Sequence, residues 1–255
     1  MRRKLLGLAT AAAMVVTHIQ TAAAADLKVL TAGAFKQVLL ALAPAFEQQT
    51  GQKLTIDNAT AGALVKRIAG GEAFDVAILG PAAIDDLAKQ GKFAPASRVV
   101  LAKVGVGVVV KAGAPRPDIG TVEAFKRAVL DAKSVAYIDP ASGGSSGIYV
   151  AGMLERLGLA AEVKPKAKLI PGGAVAEHIA KGEAELGIHQ ISEIVPVQGA
   201  TLVGPLPAEI QNYTIYAAGI SASAQDNEAA KALVKLLSGP AAAPVIKEKG
   251  MEPAS

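Results

Sequence analysis

The chain has no cysteine and no tryptophan, and only 4% of its residues are aromatic. Without thiols there is no disulfide, no thiolate metal site, no cysteine nucleophile and no cysteine to carry a lipid. A core short of rings must be built from Ala, Val, Leu and Ile, which dominate the 51% hydrophobic fraction and suit helices packed on a sheet. Long apolar runs are also missing: after the first 25 residues no stretch approaches the ~20 apolar residues that cross a bilayer. Histidine is scarce, and His178 and His189 are neither at metal-ligand spacing nor beside a carboxylate cluster. No metal and no cofactor is expected. Gly105-Val106-Gly107 lacks the last glycine of a dinucleotide fingerprint and lies inside a strand. There is no basic tract of the kind that binds nucleic acid.

What the N-terminus does have is Arg2-Arg3-Lys4, an apolar run from Leu5 to Val16, and Ala22-Ala23-Ala24-Ala25 before Asp26. A basic start, a short apolar middle and a small-residue exit describe a secretory signal peptide over residues 1–25. Its removal takes away three basic residues and no acidic one, so the net charge falls from +4 to +1. The expected location is the periplasm, reached as a soluble monomer.

From Leu27 onward, short β-branched or aliphatic runs alternate with segments of helical period. The second and third strands lie over 53–56 and 75–79, with a helix at 61–69 that carries Leu64 and Ile68 on one face. Val104–Lys111 reads as a strand, Ser146–Leu157 as a helix and 186–189 as another strand, and Asn227 is placed as the cap of a helix reaching Leu237. The β-α-β-α-β-α plan occurs twice, over about 27–95 and about 104–192, which implies parallel sheets covered by helices. The expected fold is α/β with two lobes, mixed but mostly parallel sheets and two crossover strands. Lobe 1 is placed at residues 26–104 and 205–255, and lobe 2 at 105–204.

Three small-residue loops each follow a strand and lead into a helix: Thr31-Ala32-Gly33-Ala34, Asn58-Ala59-Thr60-Ala61-Gly62 and Ala141-Ser142-Gly143-Gly144-Ser145-Ser146-Gly147. Ligands of open parallel sheets sit beyond the carboxyl ends of strands, where helix N-termini present free N–H groups and partial positive charge. Small side chains let a ligand reach those donors, and Ser145 and Ser146 add hydroxyls. One such loop is ordinary capping; three in corresponding places in both lobes point to a shared anion site. Gly143–Gly147 also matches the G-x-S-x-G pattern of hydrolases. Pro140-Ala141-Ser142 makes that loop too long for a nucleophile elbow, and no histidine is placed for a triad. His189 and Gln190 end a strand, a position from which a side chain can face the cleft. Lys66-Arg67 reads as a solvated helix face.

The segments Val29–Phe35, Ala61–Leu64 with Arg67-Ile68, Phe74–Ile78, Asp139-Pro140, Ser146–Tyr149, Gly182–Ile188 and Leu237–Pro240, in this order and spacing, resemble the bacterial molybdate-binding protein family and its relatives among extracellular solute-binding proteins. The resemblance implies a type II periplasmic-binding-protein fold, a small anionic ligand, delivery to the permease subunits of an ABC transporter, and no catalysis. It implies ligand contacts at Ala34, Ala61 beside Thr60, Gly80, Ser146 and Gln190, with Gly33, Phe35 and Ser145 adjoining them. Where the family places serine hydroxyls, this chain has Ala34 and Ala61, and it has Gln190 where a tyrosine is usual. A hydrogen bond to a charged group contributes about 1.5–3 kcal/mol, so losing two such donors weakens a molybdate site unless Thr60, Ser145 or Gln190 compensates. A small carboxylic acid is the alternative ligand.

Overall fold

The structure is a computed structural model that describes residues 26–254; the signal-peptide segment lies outside the described residues. The first half runs β1 (Leu27–Ala32), α1 (Lys36–Thr50), β2 (Leu54–Ala59), α2 (Ala61–Ala69), β3 (Val76–Leu79) and α3 (Pro81–Lys89). A long β4 (Val99–Lys111) then leads to α4 (Val122–Asp131), β5 (Val135–Ile138), α5 (Ser145–Arg156), α6 (Ala160–Val163), β6 (Ala167–Ile170), α7 (Val175–Ala180), β7 (Leu186–Gln190), α8 (Ile191–Ile194) and β8 (Ala200–Pro205). The chain returns through β9 (Tyr213–Ile220), α9 (Asn227–Ser238), α10 (Ala242–Glu248) and β10 (Glu252–Pro253).

The strand order is β2-β1-β3-β9-β4-β7-β5-β6, with β8 and β10 also on β4. Within each lobe the pairs are parallel: β1 with β2 and β3, and β5 with β6 and β7. Every antiparallel pair among the described strands involves β4, which crosses between the lobes, or β9. The fold is therefore the two-lobed α/β arrangement expected, with parallel βαβ units joined by antiparallel crossings.

Strand β4 belongs to both lobes. Its first part, Val99–Gly105, pairs with β9, and Val106–Val110 pairs with β7. At the changeover Gln211 stands in for a strand: its Oε1 accepts from Val106 N at 2.8 Å and its Nε2 donates to Val106 O at 2.9 Å. The strand begins five residues before the β-branched run suggested, because β9 pairs with Val99 and Val100 across a register shift.

The cores divide the same way. Phe35, Leu39, Phe46, Leu64, Ile78 and Leu233 sit in one cluster that covers the first lobe. In the second lobe the sheet separates two clusters, and β5 shows why: Val135 and Tyr137 enter one, Ala136 and Ile138 the other. That is the two-residue alternation of a strand covered on both faces. Each fully buried Val, Leu, Ile or Phe contributes about 1.5–3 kcal/mol relative to exposure. Two helix starts differ from expectation. Asp226, not Asn227, caps α9 and accepts from Ala229 N at 3.0 Å, and α10 begins at Ala242, not at Pro240, where a proline suited to a helix's first position would start it. Arg67 is held by Asp57 and Glu72, and Glu72 also binds Lys28 at 2.9 Å. The Arg67 guanidinium, then Lys28, holds the Glu72 carboxyl at about 2, so this cation belongs to the lobe's scaffold.

Candidate functional site

A cavity of about 350 Å³ lies where the carboxyl ends of β1, β2, β5 and β7 meet. Gly33, Thr60, Ala61, Ser145, Ser146 and Gln190 all line it, so six expected positions from both halves of the chain converge on one space. Ala34, Phe35 and Gly80 do not line it. Ala34 and Phe35 occupy a turn of 3₁₀ helix that directs both inward, where they are fully buried in the first core. Gly80 is the N-cap of α3, outside the cavity wall, and a Cβ there would meet Ile215 O at 3.9 Å.

The helices α2 and α5 present their N-termini to this space. At α2, Thr60 Oγ1 accepts from Ala63 N at 3.3 Å and donates to Ser142 O of the other lobe at 2.6 Å. Gly62 N donates to Gly143 O at 3.1 Å. A Cβ on Gly62 would lie 2.9 Å from Gly143 Cα, so the lobes meet here at a distance only glycine allows. At α5, Gly144 is the N-cap and no side chain binds the first N–H groups. Those donors and the helix dipole are left for an anion.

Beside α5 runs a chain of hydrogen bonds. Tyr216 OH donates to Gln190 Oε1 at 3.2 Å, and Gln190 Nε2 donates to Ser145 Oγ at 3.4 Å. With its oxygen already accepting, Ser145 has its O–H to give to a ligand. Burial, then the neighbouring Glu193, raises the Tyr216 phenol well above its ordinary pKa, so it stays a donor. Among the described residues no lysine or arginine lines the cavity; Asn58, Ser142, Ile138 and the Pro171-Gly172-Gly173 turn help to complete its wall.

One further pair completes the wall, and only its Glu193 is unexpected. His189 and Glu193 both line the cavity, with His189 Nε2 3.3 Å from Glu193 Oε2. Burial depresses His189 and raises Glu193 to about 8, against a weaker opposing pull from Lys36. Both are thus uncharged at neutral pH. His189 Nδ1 is buried with no partner among the described residues. The carboxyl lies over Gly33, where a Cβ would collide with Glu193 Oε1. Sequence reasoning missed Glu193 because α8 is a single turn with no period of its own. It missed Tyr216 because a strand's alternation does not say which face meets a cleft.

These features coincide with a family match. Residues 27–252 fit the model of the bacterial extracellular solute-binding proteins. The chain belongs to that family. A protein of Pseudomonas sp. named aconitate isomerase is 37% identical to this solute-binding protein over 233 residues, 89% of this chain and 87% of that one. The molybdate-binding protein ModA of Azotobacter vinelandii is 31% identical over 245 residues, 90% of each chain. The solved structure of the Azotobacter vinelandii periplasmic molybdate-binding protein superimposes with a TM-score of 0.77 at 24% identity, covering 90% of this chain and 100% of that one. This is a solute-binding protein of the molybdate-binding type, and its similar proteins include one named for binding and one named for catalysis.

Proposed function

We propose that the chain is exported to the periplasm and captures a small carboxylic acid with more than one acidic group, which it passes to an ABC importer. The lobes over 26–104 with 205–255 and over 105–204 close on the ligand, since a guest touching both rims stabilises the closed form. The observation that carries this reading is the cavity's size and make-up. A tetrahedral oxyanion has five heavy atoms and fills on the order of 100 Å³; the cavity holds about 350 Å³ and sets aliphatic surface from Ile138, Ala59 and Ala61 against its hydroxyl and amide donors. Backbone N–H groups of α5 and the Ser145 hydroxyl suit a carboxylate. The carbon skeleton suits the apolar wall. The Pseudomonas relative supports an organic acid, and aconitate, the acid in its name, is the first to try.

Melting curves of the mature protein with molybdate, tungstate, sulfate, citrate and each isomer of aconitate test this. A true ligand at 100 times its dissociation constant adds about 2.7 kcal/mol of stability. A shift with a polycarboxylate and none with molybdate is expected. A shift with molybdate alone overturns the reading in favour of an oxyanion binder.

A further inference from the structure

Protonated, a carboxyl in the wall of an anion site can only donate a hydrogen bond to the guest; ionised, it can take a proton from it. This cavity keeps Glu193 there. Its side chain is 15% exposed while that of its partner His189 is 2% exposed, so Glu193 is the more accessible member of the pair. Gly33 makes the room for it, and His189 Nδ1 is left buried and unpartnered. Among the described residues, Glu193, His189 and Tyr216 are the titratable ones lining the cavity. Two more charged groups adjoin Glu193 from outside: Lys36 at the start of α1 and Glu177 of α7 line the neighbouring hollow with it.

We propose that Glu193, positioned by His189, carries protons to and from carbon, so that the chain isomerises an unsaturated polycarboxylic acid by a 1,3-shift of hydrogen. This rests on the carboxylic-acid reading of the cleft. The substrate class is an acid whose methylene group lies between a carboxylate and a carbon–carbon double bond, as in aconitate. The ionised Glu193 carboxylate takes one methylene proton. That C–H bond breaks, its electron pair forms a new double bond to the adjacent carbon, and the old π pair moves to the far carbon. Glu193 then returns the proton to the far carbon, forming a C–H bond there. Nothing is oxidised, nothing leaves, and the carboxylate is regenerated. The new double bond can form with its carboxylates on the opposite side, which interconverts cis and trans isomers.

The surroundings suit the step. Charge that develops on the substrate's carboxylates meets the Ser145 hydroxyl and the free N–H groups of α5, donors already fixed in place. A base works best with a pKa near the operating pH, and burial brings Glu193 to about 8. Tyr216 remains a neutral donor and Lys36 favours the ionised carboxylate.

The test uses the mature protein with pure cis- and pure trans-aconitate, followed by proton NMR, with melting curves run alongside. Each isomer is expected to convert toward the same mixture, at a rate that rises with pH and is half-maximal near 8. Glu193→Gln keeps the shape of the buried acid and the ligand-induced melting shift, and its conversion is expected to fall about a thousandfold. His189→Gln is expected to move the pH midpoint of the rate; an unmoved midpoint overturns the role given to His189. If both isomers shift the melting curve but neither converts, the isomerase is overturned and the binding reading stands. If neither isomer shifts it, the binding reading fails and the isomerase falls with it. Conversion by Glu193→Gln at the wild-type rate overturns the assignment to Glu193.

Discussion

The N-termini of α2 and α5 reach one cavity from opposite lobes, but they are occupied differently. At α2 the chain satisfies itself: Thr60 caps the helix and binds Ser142 O, and Gly62 N binds Gly143 O. At α5 no side chain caps the first turn, and Ser145 is held by Gln190 with its own proton free. One rim closes the lobes; the other is left open to a guest. The difference teaches that a small-residue loop before a helix is not one kind of feature. Thr60 turns one into a latch, and Gly144 leaves the other a receptor.

The comparison breaks first at the latch. Gly62→Val puts a branched side chain against Gly143 backbone that can yield only by parting the lobes. Overpacking of this sort costs about 1–3 kcal/mol, and because the clash vanishes when the lobes separate, it should appear as up to a hundredfold weaker ligand binding in calorimetry, with the unliganded melting temperature nearly unchanged.

The second effect tests the buried pair between the rims. Glu193 is raised from 4.5 to about 8, so its contribution to stability is complete below pH 4.5 and is lost as pH climbs through 8. His189 is depressed from 6.5 to about 3, so its contribution is present above 6.5 and is lost as pH falls through 3. Between 4.5 and 6.5 the two slopes cancel. Urea unfolding should therefore show a plateau there and a decline of about 2 kcal/mol from pH 6.5 to 8, at ~1.4 kcal/mol per unit. Glu193→Gln should abolish that alkaline decline; its survival in the variant would assign it to another group.

At the open rim, Ser145→Ala removes a donor to a charged ligand. Binding should weaken about tenfold, at the low end of the 1.5–3 kcal/mol for such bonds, with a smaller loss of unliganded stability, below about 1 kcal/mol, from the bond that Gln190 Nε2 gives up. Thr60→Ala should act mainly on stability, lowering it by about 1 kcal/mol through the lost cap, with a smaller loss of binding from the missing bond to Ser142 O. If the two variants exchanged behaviour, the distinction between latch and receptor would be mistaken.

Local signals in the sequence carried the helix at α2 to its observed ends, since Thr60 starts it and Gly70-Gly71 follow its last turn. They also carried the convergence of all three small-residue loops, because strand-to-helix loops of parallel units fall on one side of a sheet. They did not carry direction. Ala34 and Phe35 follow β1 as a ligand contact would, yet the 3₁₀ turn points them into the core. Asp226 and Asn227 are both good caps; Asp226 takes the place, and the stripe of Ala230, Leu233 and Leu237 faces the first core. Glu193 was illegible for a different reason. Its chemistry comes from desolvation and from the absence of a side chain at Gly33, 160 positions away in the chain, and neither is a local property.

Strand β4 runs for 13 residues without a break and is hydrogen-bonded in both sheets. Along β4, any opening of the molecule must therefore be taken up as torsion of an extended segment, not as pivoting at a slack joint. The Gln211 amide sits at the twisting point and binds Val106 through both of its ends. A side chain on rotatable bonds can swivel with the backbone it holds, so that spot can wring back and forth while its main-chain groups stay satisfied.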